Sequence, residues 1–351
     1  MGPEPSGPEP TGPEPLGEPP TWEEVRAGRM ARSWLAERAP AERLVDVARD
    51  VCGIHAQVMG SAELQLAARV HGITQGDVRA ALWERRELVK TWTLRGTLHI
   101  HPADELGLWT AARRAVEREE DAAVTAAIGD ALRGRRLTRE ELADAVVERV
   151  GPEPRERLAS GWGWFLGDAA AAGLLCFGPP NGTRVTFVHV DDWLGSQQAW
   201  EPAAALREVA RRYATTYAPA TLRSLREWLA AKVDVDVPEV PLAPPAGGSV
   251  RLLPEYDPYV MGFREREHLV PPEVRRQVAA HGKGRYEGPA GTPFLVVDGL
   301  CAGIWRRRRT SKGVELTVEP ARPLTKAERA GLEEEAERIG AFLGLQPLLR
   351  S

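Results

Sequence analysis

Along most of the first 280 residues apolar positions recur every three to four residues, with short stretches of every-second-residue alternation between. The first helical pattern covers 22–36, with Thr21 as N-cap and Glu24 completing a capping box. Pro40 stops it and opens a second pattern through Leu44, Val45, Val47, Ala48 and Val51. A further run follows through Leu64, Leu66, Ala67 and Val70, and Thr74 caps another over 75–85. Two β-rich runs, 88–93 and 97–101, come next, separated by Leu94-Arg95-Gly96, a turn that glycine makes easy. Helices followed by a strand pair is the order of a winged helix.

The order returns twice. Pro102 starts a helical pattern through Leu106, Trp109 and Ala112 towards Ala127. Thr138 and Glu141 form a second capping box, and 162–173 is a further helical run. Runs 174–177 and 183–188 then flank the turn residues Gly178-Pro179-Pro180-Asn181-Gly182. The third unit has helices over 205–217 and from Thr221 through Trp228, a proline-rich loop over 234–249, and strand candidates 250–253 and 259–261. After that the pattern turns to short strands, 294–297, 300–306 and 314–318, and Thr325 caps a last amphipathic helix through Ala341. The expected fold is therefore α+β and mainly helical: three tandem winged-helix units, a small C-terminal antiparallel β-barrel or sheet, and a terminal helix. The boundaries fall at 1–21, 22–101, 102–195, 196–284 and 285–351.

Residues 1–21 are a different kind of chain. Gly-Pro-Glu-Pro repeats at 2–5, 7–10 and 12–15, and proline at this density predicts a disordered or polyproline-like tail with no part in chemistry. This tail also distorts the charge balance. The net charge is −4, which does not suggest a nucleic-acid binder, yet Glu4, Glu9, Glu14 and Glu18 supply it all. The remainder is neutral, so local patches matter more than the total. Cys52, Cys176 and Cys301 are too far apart for a CxxC zinc site and odd in number, against a disulfide framework. No apolar run is long enough to span a membrane and no secretory signal pattern is present, so a cytoplasmic protein is expected.

Positive charge concentrates at Arg306-Arg307-Arg308-Arg309, with Lys312 near the tip of the expected hairpin. Strand alternation cannot bury four arginines, so at least two face solvent together, a shape suited to following phosphates or entering a minor groove. A charged edge strand that resists aggregation is the plainer alternative. Arg264, Arg266 and His268, with Arg275 and Arg276, make a second cluster. Arg223 and Arg226 flank the third unit's recognition helix, and Arg113 and Arg114 are expected on an exposed face. His99 and His101 have no cysteine or carboxylate nearby to complete a metal shell and are read as structural. Asp191 and Asp192 are expected to cap a helix from Trp193. Trp34, Trp83, Trp109 and Trp228 sit at core spacing.

One segment stands out between the second and third helical patterns, Val51-Cys-Gly-Ile-His-Ala-Gln-Val-Met-Gly60. His55 and Gln57 are two apart, so in extended chain they face one side, and histidine can accept a proton near neutral pH. Helix capping is the plainer reading. No lysine is nearby in sequence, against a Schiff-base lyase.

Four stretches together resemble the winged-helix AlkZ and YcaQ family of bacterial DNA glycosylases. They are Gly53-Ile-His-Ala-Gln57, Arg95-Gly-Thr-Leu-His99, Ala218-Pro-Ala-Thr221 with Trp228, and Leu252-Leu-Pro-Glu-Tyr-Asp-Pro-Tyr259. The resemblance extends from about Trp22 to the C-terminus. It implies three winged helices with a C-terminal barrel, removal of bulky alkylated purines including crosslinked guanines, and in several members protection of a producer from its own DNA-alkylating toxin. The family's catalytic Gln-x-Gln or Gln-x-Asp falls on His55-Ala56-Gln57, with histidine in place of the first glutamine. Its minor-groove hairpin corresponds to the Arg306–Lys312 tip. The expected activity is then a monofunctional glycosylase acting as a monomer on double-stranded DNA, without metal or organic cofactor. Gln57 would position water, and His55 would orient or deprotonate it. The competing reading is a non-enzymatic winged-helix regulator or lesion-shielding factor.

Overall fold

The computed structural model describes residues 19–117, 121–160, 163–242, 248–281 and 288–351. Residues 1–18 of the tail, Trp162 and Gly247 lie outside them. In chain order α1 (Trp22–Arg32), α2 (Leu44–Asp50), β1 (Ile54–His55), α3 (Met59–Arg69), α4 (Gln75–Trp83), β2 (Leu88–Trp92) and β3 (Leu98–Pro102) come first. Next are α5 (Leu106–Val116), α6 (Ala122–Leu132), β4 (Leu137–Thr138), α7 (Arg139–Val150), α8 (Arg155–Ala159), α9 (Trp164–Ala171), β5 (Leu175–Asn181), β6 (Arg184–His189) and α10 (Val190–Leu194). Then follow α11 (Pro202–Thr216), α12 (Leu222–Leu229), β7 (Val250–Leu253), α13 (Pro258–Met261) and α14 (Pro272–Ala280). The chain closes with β8 (Phe294–Val297), β9 (Leu300–Thr310), β10 (Gly313–Pro320), α15 (Lys326–Leu343) and β11 (Pro347–Arg350). It is a mixed α/β fold.

Reciprocal capping boxes open α1, α4, α7, α12 and α15 at Thr21, Thr74, Thr138, Thr221 and Thr325, satisfying backbone N–H groups the first turn leaves unpaired. Several elements end earlier than periodicity suggests. The first helix stops at Arg32, because Trp34 takes a left-handed φ of 58°. The pattern from Pro102 to Ala127 is broken where the Asp121 carboxylate accepts from the N–H groups of Ala123 and Val124, starting α6.

Strands run in three sheets. β1-β3-β2 and β4-β6-β5 are three-stranded and antiparallel. The third has the open order β11-β10-β9-β8-β7. It is a sheet and not a closed barrel, and it is mixed, since β11 runs parallel to β10. Its last strand, β7, comes from the stretch before α13 and pairs with β8. α15 packs on β7 and α14 on β9. A continuous apolar core joins Leu66 and Ala67 of α3 to Leu252, Leu295, Leu316 and Ile339, so the segment holding His55 is anchored directly to the C-terminal sheet.

Four local expectations are corrected. The stretch 259–261 is helical, because the Asp257 carboxylate accepts from Tyr259 N–H and Pro258 occupies the first helical position. Residues 178–181 pair as the end of β5, with a register shift, leaving only Gly182 and Thr183 as the turn. His189, and neither Asp191 nor Asp192, caps α10; the two aspartates pair with Arg133. Arg113 is buried and donates to Gly167 O and to the Glu117 carboxylate.

Candidate active site

β1 is only two residues long, and it pairs antiparallel with β3 so that His55 faces His99 and Ile54 faces Ile100. Directly opposed residues share a sheet face, which puts His55, His99 and, across β2, Thr91 on one side. Neither His55 nor Gln57 caps a helix: Val51 ends α2, and Val58 opens α3 with no side-chain cap. That removes the plainer reading of the segment. Gln57 lies beyond the strand, exposed to solvent, whereas His55 is buried.

Around His55 the sequence motifs converge. Its ring stacks on Tyr256, centroids 5.0 Å apart, and meets His99 edge to face at 5.4 Å. Gln65 donates to the His55 carbonyl at 3.0 Å, pinning β1 to α3. The Leu252–Tyr259 stretch is fastened to the same helix: Ser61 and Gln65 donate to Glu255 O, and Arg69 makes a bidentate pair with Asp257, both fully buried. Tyr256 is thereby held over the histidine.

Behind His55 stands a column of rings. His99 Nδ1 is 2.9 Å from Thr93 Oγ1 and 3.2 Å from Thr97 O, and His101 Nε2 is 3.1 Å from Thr93 Oγ1. A carbonyl only accepts, so the network assigns the proton of His99 to Nδ1 and leaves the threonine hydroxyl to donate to His101. His101 stacks on Trp109 at 4.3 Å. Gly53, at φ 94°, allows this packing, since a Cβ there would sit 2.3 Å from His101 Cε1.

Electrostatics keep all three imidazoles neutral. Burial is the main cause for His55, whose pKa is pushed down to about 4, with Arg95 and Lys90 adding to it. His101 is held at about 3 and His99 also lies well below the ordinary histidine value, again chiefly through burial. Lys90, distant from the His55 segment in sequence, acts on it through the sheet. It stands on β2 opposite Ile100, on the sheet face away from His55, over the Phe177 ring, with burial lowering its own pKa to about 8. His55 Nδ1 is buried without a hydrogen-bond partner among the described residues.

The arginine hairpin forms as expected, β9 and β10 meeting at a turn that holds Lys312. Arg306, Arg308 and Arg309 are exposed and Arg307 half-buried. Arg306 pairs with Glu319 and Arg308 with Glu315; Arg307, Arg309 and Lys312 have no acidic partner among the described residues. A Cβ on Gly60 would lie 3.1 Å from Arg307 Nη2. The hairpin therefore rests against the start of α3, a few residues from Gln57.

The second basic cluster, and Arg223 and Arg226 of α12, are more nearly neutralised. Arg223 is bound by Glu227 and Glu265, Arg226 donates to Val233 O and lies 3.9 Å from Asp234, and Arg275 pairs with Glu267. Arg266 donates to the carbonyls of Val260 and Arg264. Arg223 and Arg264 line a cavity of about 480 Å³ with Trp22 and His268, whose rings stack at 4.4 Å. His55 is not in its wall.

Among the described residues no group of three or more His, Cys, Asp or Glu could hold a metal ion, and no helix is long and apolar enough to cross a membrane. Tyr256, Gln65, Thr93 and the Arg69–Asp257 pair are the site residues that sequence reasoning missed. Tyr256 and Asp257 lay inside a quoted motif, but nothing in the sequence told where that motif would dock.

Comparison with known proteins gives the class, a DNA glycosylase. The chain belongs to the AlkZ-like family, "DNA glycosylase AlkZ-like", which matches residues 48–236 and 232–342. It is similar to the "Interstrand DNA cross-link repair glycosylase" of Streptomyces sahachiroi, 28% identical over 378 residues, covering 93% of this chain and 98% of the relative. The solved structure of "Streptomyces sahachiroi DNA glycosylase AlkZ" superposes with a TM-score of 0.77 at 27% identity, covering 94% of this chain and 99% of that one.

Proposed function

We propose that this protein hydrolyses the N-glycosidic bond of bulky alkylated guanines or crosslinked guanines in double-stranded DNA, as a monofunctional glycosylase built from three tandem winged helices and acting as a monomer on nucleoid DNA in the cytoplasm. What supports this reading is the family match, together with a neutral imidazole, His55, two residues from an exposed amide, Gln57, near a hairpin whose Arg307 and Arg309 have no acidic partner among the described residues. Protection of a producer from its own alkylating toxin is the biological role that fits.

The chemistry needs little from the protein. An alkyl group on the major-groove imidazole nitrogen of guanine makes the base cationic. When the bond from the anomeric carbon breaks, its electron pair leaves with the base, which departs neutral. Gln57 positions water against the oxocarbenium-like sugar, and His55 orients it and takes its proton at Nε2. A base with a pKa of about 4 is weak, but attack on a sugar cation needs only modest help, about 10²–10⁴-fold. No metal or organic cofactor enters. The stacked Tyr256 covers one face of His55; because a bulky crosslink does not flip easily into a snug pocket, the lesion is expected to stay near the duplex in an open groove.

Incubation with duplex carrying a nitrogen-mustard 7-guanine adduct should release the modified base and leave alkali-labile abasic sites. The His55→Ala/Gln57→Ala double variant should release none while melting close to wild type. Undiminished release by that variant refutes the assignment.

A further inference from the structure

We infer that Arg95 holds a backbone phosphate of the damaged strand at the mouth of the His55 site. This rests on the glycosylase reading above and adds a substrate contact to it.

Arg95 is at the tip of the turn between β2 and β3, in left-handed conformation at φ 66°. Thr93 N–H donates to Thr97 O at 3.1 Å, closing that turn. The Thr93 hydroxyl meets His99, the register partner of His55. One short hairpin thus carries both Arg95 and the ring against which His55 rests. The guanidinium lies over Trp228, 5.7 Å from the ring centroid, half-buried, with no hydrogen bond or ion pair among the described residues.

That isolation is unusual in this chain. Arg69, Arg38, Arg113 and Arg212 each reach a carboxylate from their buried or half-buried positions. Arg95 reaches none, and burial lowers its pKa, with Arg266 adding to this; Arg266 spends its own donors on carbonyls. The charged and titratable groups around His55 are Arg95 from the turn, His99 from β3 and, acting through the sheet from its other face, Lys90 of β2, with Tyr256 stacked from the 254–258 segment. None of them is a carboxylate. Left bare, these cations oppose the reaction, because the adduct is cationic and the sugar becomes so, and like charges repel strongly where water is excluded. A phosphate between guanidinium and sugar reverses the sign. The fork of an arginine fits phosphate bidentately, which an ammonium cannot do.

The test is single-turnover release of a nitrogen-mustard 7-guanine adduct from duplex, using the full chain. Arg95→Gln should fold normally and lose roughly 10- to 100-fold in rate at subsaturating protein, the scale of one charge-assisted hydrogen bond. Arg95→Lys should recover only part. Replacing the phosphates flanking the lesion singly by neutral methylphosphonate should slow wild type by a similar factor at one position, and should slow Arg95→Gln no further there. In histidine-labelled protein, Arg95→Gln should raise the His55 titration towards the ordinary value, and Arg95→Lys, which keeps the charge, should raise it less. Wild-type rates for Arg95→Gln, additive losses at both flanking phosphates, or an unmoved His55 titration overturn the inference. If wild type itself releases no base, the alkylguanine reading fails and this inference falls with it.

Discussion

The Arg69–Asp257 pair offers the most decisive test of how this site is held together. Both side chains are 0% exposed; Arg69 Nη1 and Nη2 reach the two carboxylate oxygens at 2.8 and 2.7 Å, and Nη1 also donates to Gln65 O at 3.0 Å. Asp257 in addition caps α13 through Tyr259 N–H at 2.9 Å. Asp257→Ala strands a guanidinium in the core, a cost of about 3–5 kcal/mol, and removes a cap worth about 1 kcal/mol. Set against a typical total of about 5–15 kcal/mol, that is severe. Arg69→Met/Asp257→Leu strands no charge, so it should be less destabilised than Asp257→Ala alone. Urea unfolding of wild type, Asp257→Ala, the singles Arg69→Met and Asp257→Leu, and the double variant measures this directly. Base release should fall even where the double variant folds, because the pair docks the stretch that places Tyr256 over His55. A cost below about 1 kcal/mol for Asp257→Ala, or simple additivity of the singles, would refute the reasoning.

Three further outcomes are expected. Folded His55, His99 and His101 resist protonation, so their contribution to stability is complete above the unfolded pKa near 6.5 and is lost as pH falls towards about 4 for His55 and about 3 for His101. His55 alone accounts for about 3 kcal/mol, and a urea midpoint constant between pH 7 and 4.5 would contradict this. In the hairpin, replacing Arg307 or Arg309 should lower the salt slope of DNA binding by roughly one phosphate each, whereas Arg306, already paired with Glu319, should matter less; equal effects would remove the distinction. Gly53→Ala should destabilise by about 1–3 kcal/mol through overpacking against His101, and adding His101→Ala should recover part of it, as thermal melting can show.

Much of the fold was legible because it is written locally. Threonines three residues ahead of a carboxylate or hydroxyl mark helix starts, and the alternation over 88–101 and 294–318 marks strands. The segment around His55 was also visible, since a polar pair between two apolar helices is conspicuous. Long-range pairing was not legible. Nothing local says that β7 joins β8 in the C-terminal sheet, that Asp257 meets an arginine 188 positions away, or that Lys90 influences His55 through a sheet. Where local rules misled, tertiary partners had taken over: Asp191 and Asp192 serve Arg133 instead of a helix, and Arg113 turns inward to Gly167.

The parallel strand β11 has a mechanical consequence. Val314 through Thr317 of the arginine hairpin are bridged to Pro347 through Arg350, and Arg350 also reaches Glu315. Flanked by β8 on one side and β11 on the other, the hairpin is a clamped beam, not a hinged arm. If its arginines probe DNA, the beam does not bend to find damage; the duplex must bend to meet it. Discrimination would then depend on how readily a stretch of DNA yields, and a lesion that weakens stacking lowers that resistance before any atom of the adduct is touched.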